Sequence, residues 1–287
     1  MLGDELPDAT EVASRMKKAN LAGSQGAVNT WFAANVEPYV NDIVFNHIAV
    51  GNEVIPGSLA EHILPVMKYL QNVINDKNLD GIKVTIVLSG TALASSYPPS
   101  NGAFKPEASN VMSAILAFLS ARGSPLMINV YPYFVYSSDP ANIHLNYAQF
   151  TATSPVVQDG PLSYYNLFDA TKAGGGGVGV VVSESGWPSD GNGDFTTPEL
   201  ARTYNRNFLK HITSKAGTPK RPGAYIEGYI FAMFTENQKP EGVEQHFGLF
   251  HPNMQPVYPV LSRKIAEHLD SGKMKLDLRN QRNERKG

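Results

Sequence analysis

The feature that most narrows the fold is a β-rich run that stays apolar on both faces and then stops at an acid. Residues 178–190 read VGVVVSESGWPSD, in which Val178, Val180, Val181 and Val182 lead into Ser183 and Glu184 before a turn at Gly186 and Pro188. A run without two-residue alternation belongs in a parallel sheet covered on both faces. In barrels built from such strands, carboxylates at the C-terminal strand ends sit where the chemistry is done. A lone glutamate after a strand could equally leave the core for solvent. The chain, however, repeats the device: residues 43–54 read IVFNHIAVGNEV and end in Gly51, Asn52 and Glu53.

Strand-like and helix-like patterns alternate along the chain. Asp8 and Glu11 are placed to cap a helix reaching about Ala19. A second helix starts near Ser24 and buries Val28, Trp31, Phe32 and Val36. Leu59, Ile63, Val66, Leu70 and Val73 recur at helical spacing. Pro106–Ala121 follows as a helix with Val111, Ile115 and Leu119 inward, and Leu200, Tyr204, Phe208 and Ile212 mark another. Strands are read at 43–50, 83–88, 126–131, 178–184 and 225–234. The connection from Phe134 to about Lys172 offers one short helical stretch, Ser163–Ala170. Such β-then-α units imply parallel strands joined by right-handed crossovers.

At 287 residues the chain is long enough for one α/β barrel, typically about 250 residues. A formal net charge of −2 gives no electrostatic reason to expect nucleic acid as a partner. No apolar stretch approaches the ~18 residues that cross a bilayer, so no membrane partner is expected. There is no cysteine, which excludes disulfides and thiolate metal sites, and the seven histidines lack metal-binding spacing. His246 and His251 read as loop residues, and no metal is expected. Gly174 to Gly179 satisfies G-x-G-x-x-G, but it precedes a strand and reads as a flexible entry loop, not a nucleotide site. Met1 is followed by Leu2-Gly3-Asp4-Glu5, so no secretory signal is legible. A single domain is assigned to residues 1–262, and residues 263–287 to a helix end and basic tail.

Two glutamates released from separate strands suit a retaining glycosidase, in which one attacks the sugar and the other gives and recovers the proton across roughly 5–5.5 Å. The string VVVSESGWPS resembles the nucleophile signature of glycoside hydrolase family 17, the plant endo-1,3-β-glucanases and their relatives. AVGNEVIPG, NVYPYF, SYYNLFDA, ARTYN, IFAMFTENQK and FGLFHP resemble further segments in the family's order, over most of residues 1–260. The resemblance implies a (β/α)8 TIM barrel. Aligned by motif, the chain matches the family's fourth to eighth strands and lacks the first three. An incomplete barrel of about five parallel strands is therefore expected, with open edges through which copies could associate. The resemblance also implies cleavage of internal linkages in β-1,3-glucan without a cofactor, secretion to the cell wall or vacuole, and a part in plant defence. The competing reading is an impaired remnant that at most binds glucan, because absent strands would remove packing around Glu53.

By the same resemblance Glu184 is the nucleophile and Glu53 the acid/base, the alternative for Glu53 being a cap on the helix that begins near Gly57. Asn52 is expected to hold the sugar 2-hydroxyl, and Tyr131 to orient the nucleophile unless it is a core residue. Tyr133, Trp187 and Phe234 offer flat faces to glucose rings, or else pack internally. Glu236, Lys239 and Glu244 match a charged cluster lining the family's cleft. A plain rim ion pair between Glu236 and Lys239 is the alternative.

Overall fold

Five parallel strands pair in sequence order into one sheet: β1 (His47–Asn52), β2 (Lys83–Leu88), β3 (Leu126–Asn129), β4 (Val180–Ser185) and β5 (Gly228–Ile230). The computed structural model describes residues 21–171 and 177–259. The helix expected from Asp8, the glycines at 174–176 and the segment 263–287 lie outside the described residues.

Burial on both faces explains the missing alternation. Ile48, Val50, Val84, Ile86 and Leu88 face helices α2 (Ala60–Asp76) and α3 (Pro106–Arg122), meeting Ile63, Val66, Leu70, Met112, Ile115 and Leu119 in one core. On the opposite face Val87, Met127 and Val181 form a smaller cluster with Tyr229. A third group gathers around α7 (Pro198–Thr213), where Ala201, Tyr204, Phe208 and Ile212 pack against Val182, Trp187 and Phe168. Helix α1 (Gln25–Asn35) starts where Ser24 accepts a hydrogen bond from the Ala27 N–H at 3.2 Å, a side-chain N-cap. It buries Val28 and Phe32, and Val36 follows buried, while Trp31 is only half-buried.

The sheet is an incomplete (β/α)8 barrel, and the gap leaves a mark. Ala49, in the middle of β1, is exposed, whereas its register partner Thr85 is fully buried and donates to the Pro125 carbonyl at 2.6 Å. The sheet curls until its two outer strands come within side-chain reach: His47 Nδ1, at the start of β1, lies 3.9 Å from Glu227 Oε1, just before β5. Tyr229 donates to the same carboxylate oxygen at 2.6 Å. No described helix is long and apolar enough to cross a membrane.

Several expectations are corrected. The strand read at 43–50 begins only at His47, and Ile43 and Val44 before it are exposed. The strand read at 225–234 shrinks to three residues. The long connection after β3 holds helices α4 (Pro132–Ser138), α5 (Leu145–Ala148) and α6 (Leu167–Thr171), and a hairpin pairs Val157–Asp159 with Leu162–Tyr164. Ser163 therefore lies in a strand and not in a helix. The cause is the Asp159-Gly160 turn, where Gly160 takes φ +57°. In α3 it is Met112 that is buried, with Val111 half-buried.

Both strands that carry the glutamates are irregular just before them. In β1 three steps from Ala49 to Asn52 match two in β2, from Thr85 to Val87. In β4 two steps from Val182 to Glu184 match one in β3, from Ile128 to Asn129, and three steps from Val182 to Ser185 match two in β5. An extra residue breaks the strict up-and-down order of side chains and re-aims the residues after it. In β1 the bulge requires Gly51 at φ +84°, where an added Cβ would sit 2.7 Å from a Val54 methyl. Gly51→Ala should therefore cost about 1–3 kcal/mol and lower activity with it. Urea denaturation checks this, and unchanged stability would mean that the bulge tolerates a side chain.

Candidate active site

The bulges place consecutive residues in one polar cluster, which a regular strand forbids. Asn52 and Glu53 at the end of β1, Asn129 at the end of β3, and Ser183 and Glu184 in β4 converge at the C-terminal end of the sheet. Asn129 Nδ2 donates to Glu53 Oε1 at 2.6 Å and to Asn52 Oδ1 at 3.1 Å. Asn52 Nδ2 donates to Glu184 Oε1 at 3.4 Å, and the Tyr131 hydroxyl donates to Glu184 Oε2 at 2.7 Å. Ser183 Oγ donates to Asn129 Oδ1 at 2.7 Å. Glu53 adopts φ +56°, yet its N–H still donates to the Val87 carbonyl at 3.0 Å, so the residue stays fixed to β2. It caps no helix: α2 begins at Ala60 with Leu59 as its N-cap and no side-chain cap.

Burial raises the Glu184 pKa above the ordinary value of 4.5, and the nearby Glu53 carboxylate adds to that rise. Hydrogen bonds from Tyr131 and Asn52, and the charge of Lys239, oppose it. The net result is a carboxylate that resists ionisation yet is held by donors suited to its charged form. Tyr131 is itself pushed far up, first by burial and then by the Glu184 charge, so it remains a protonated donor. Next to this pair, Lys239 Nζ bonds Glu236 Oε2 at 2.8 Å and lies 3.6 Å from Glu244 Oε2. Burial alone would lower the Lys239 pKa, but its two acidic partners outweigh that and raise it. The ion pair expected between Glu236 and Lys239 is present, and it belongs to a group that also reaches the Phe231 ring, 5.2 Å from Nζ.

The aromatic expectations divide. Trp187 is 0 % exposed and donates through Nε1 to the Phe195 carbonyl at 3.0 Å. Tyr133 is 1 % exposed and accepts from Asn192 Nδ2 at 2.9 Å. Both follow the internal-packing alternative, with their rings 5.3 Å apart inside the core. Phe234 is half-buried, 6.5 Å from Phe250. The rings beside Tyr131 are instead Phe231, at 6.2 Å, and the exposed Phe134, at 5.7 Å. Asn129, Ser183 and Phe231 went unread in the sequence. Asn129 could have been found, because it is a polar residue closing the apolar strand LMIN. Among the described residues, no three or more His, Asp or Glu side chains gather as metal ligands.

Paired carboxylates at one strand-end rim, linked by amides and flanked by aromatic rings, define a carbohydrate-cleaving hydrolase of the barrel class. Comparison with known proteins makes the assignment specific. The model of glycosyl hydrolases family 17 matches residues 11–261. A probable glucan endo-1,3-beta-glucosidase of Arabidopsis thaliana is 51% identical over 250 residues, 84% of this chain and 72% of the relative. Lichenase-2 of Hordeum vulgare is 44% identical over 251 residues, 84% of this chain and 78% of its own. Among solved structures, CJP38, a beta-1,3-glucanase and allergen of Cryptomeria japonica pollen, superposes with a TM-score of 0.79 at 42% identity, covering 91% of this chain and 96% of that one. The chain belongs to glycosyl hydrolase family 17.

Two outcomes are expected from the electrostatics. Tyr131→Phe removes a donor that lowers the Glu184 pKa, so the acidic limb of the kcat/KM profile should move to higher pH. A pH–rate profile checks this, and a limb that stays put or moves down excludes the Tyr131 bond as a control on ionisation. Because the folded-state value lies above 4.5, ionised Glu184 opposes folding. That cost is absent below about pH 4.5, where the carboxyl is protonated folded and unfolded, and complete above the raised value. Glu184→Gln should thus raise Tm at neutral pH and leave it unchanged near pH 3, as thermal unfolding at the two pH values checks.

Proposed function

We propose that the protein cleaves internal β-1,3-glucosidic linkages of glucans with retention of configuration. The observation carrying this reading is the amide network that ties Glu184 and Glu53 into one cluster. Glu184 attacks the anomeric carbon while Glu53 gives its proton to the departing glycosidic oxygen, so one C–O bond breaks as the glycosyl ester forms. Glu53 then takes a proton from water, whose oxygen displaces the ester and frees Glu184. Burial makes the Glu184 charge costly in the free enzyme, and forming the ester relieves that cost. Asn52, already within reach of Glu184, is placed to hold the sugar 2-hydroxyl as charge develops. Phe231 and Phe134 replace Tyr133 and Trp187 as the rings available to glucose. Lys239, with Glu236 and Glu244, keeps a positive charge near the nucleophile. The remnant reading is disfavoured, since the contacts that would fix Glu53 are made by β2 and β3.

Reducing-end release from laminarin tests the assignment. Glu184→Gln should lose on the order of 10⁴-fold or more, and Glu53→Gln about 10²–10⁴-fold. The first product detected by NMR should be the β-anomer. Wild-type activity no higher than that of Glu184→Gln would remove the catalytic reading, and an initial α-anomer would remove retention.

We also propose that the outer edges of β1 and β5 support self-association. Val44, 86% exposed, and Tyr225, 74% exposed, lie just before these strands and add apolar surface to edges that no described strand pairs with. Size-exclusion chromatography with light scattering should show a concentration-dependent dimer, and a monomer at all concentrations would overturn this.

A further inference from the structure

Asn129 sits where three elements of the site meet, and both its amide nitrogen and its oxygen are bonded there. It is 6% exposed, so each of its polar atoms needs a protein partner. The amide offers two N–H donors and one carbonyl oxygen. The donors go to Glu53 Oε1 and Asn52 Oδ1, and the oxygen accepts from Ser183. The Asn52 amide continues in the same sense, accepting from Asn129 and donating to Glu184. Every hydrogen in this chain therefore points toward a carboxylate. Turning either amide around would set a carbonyl oxygen against a carboxylate oxygen and leave buried donors unmatched, which is costly.

We infer that Asn129, anchored by Ser183, is the positioning residue of the acid/base: it occupies Glu53 Oε1 throughout turnover and so confines the exchanged proton to Oε2. The inference rests on the acid/base reading of Glu53. An oxygen that accepts a 2.6 Å bond from an amide N–H is the less basic of the two and faces a donor, so a proton arriving at Glu53 is favoured on the other oxygen. That oxygen then delivers the proton to the glycosidic oxygen as the C–O bond breaks, and collects one from water in the second half. Because the same nitrogen holds Asn52, one side chain sets the aim of the acid and the placement of the amide on the nucleophile. Ser183 contributes from β4 only because the bulge turns it and Glu184 toward the same cluster. The extra residue thus has a use beyond re-aiming the glutamate.

The test compares kcat/KM on laminarin with kcat/KM on 2,4-dinitrophenyl β-laminaribioside, whose leaving group departs without a proton. Misplacing the acid by an ångström or so should cost Asn129→Ala about 100-fold on laminarin. On the activated glycoside the loss should be no more than about tenfold, the effect of one displaced hydrogen bond. Ser183→Ala should show the same split at a smaller scale, roughly threefold to tenfold on laminarin. It decides the matter if Asn129→Ala does not fold. Equal losses on both substrates, or no loss on laminarin, would overturn the inference, because a purely structural role lowers both alike. Glu53→Gln is the reference: if it shows the split and the Asn129 and Ser183 variants do not, only the positioning role falls. If Glu53→Gln shows no split, the acid/base reading falls first.

Discussion

One inserted residue in each of two strands is the constraint on which the site depends. Side chains of a regular strand alternate between faces, so Asn52 and Glu53, or Ser183 and Glu184, could not both serve one cluster. The bulges in β1 and β4 remove that restriction. They are tolerable because the surrounding ladder is otherwise kept: Glu53 still bonds Val87, Val130 N–H still donates to the Glu184 carbonyl at 2.9 Å, and Phe231 N–H to the Ser185 carbonyl at 2.9 Å. Backbone satisfaction is kept while side-chain direction is changed.

The cluster is then stabilised by matched donors and not by charge pairing. Glu184 lies in a largely buried setting with a second carboxylate close by, and the nearest cation, Lys239, is shared with Glu236 and Glu244. Tyr131, Asn52 and Asn129 supply N–H and O–H groups in place of counter-ions. Neutral donors stabilise a carboxylate without cancelling its reactivity, which suits the role proposed for Glu184. Trp187, Tyr133 and Tyr204 are fully buried with their polar atoms bonded, and Tyr204 reaches Ser185 Oγ at 2.6 Å, next to Glu184 in sequence.

Strand existence and order were legible because the apolar runs are long and uninterrupted, and the two acids were legible because they end such runs. Strand limits were not. Val44 and Tyr225 look like strand residues by type, yet they lie at the sheet margin and are exposed. The hairpin at 157–164 was missed although Asp159-Gly160 announces it, because its strands are only three residues long. The β4 bulge has no glycine to mark it, unlike Gly51 in β1, so the convergence of Ser183 with Asn129 was invisible. For Trp187 and Tyr133 the internal-packing alternative holds, because both rings lie inside the aromatic core behind the site.

The two glutamates do not share the same mechanical support. Glu184 belongs to a strand bonded on both flanks, whereas Glu53 follows a strand that, among the described residues, pairs with β2 alone. Amide protons of β1 should therefore exchange through local fraying, and those of β4 only through opening of the whole sheet. Of the two carboxylates, Glu184 is thus the more firmly held, and Glu53 follows the outer strand of the described sheet.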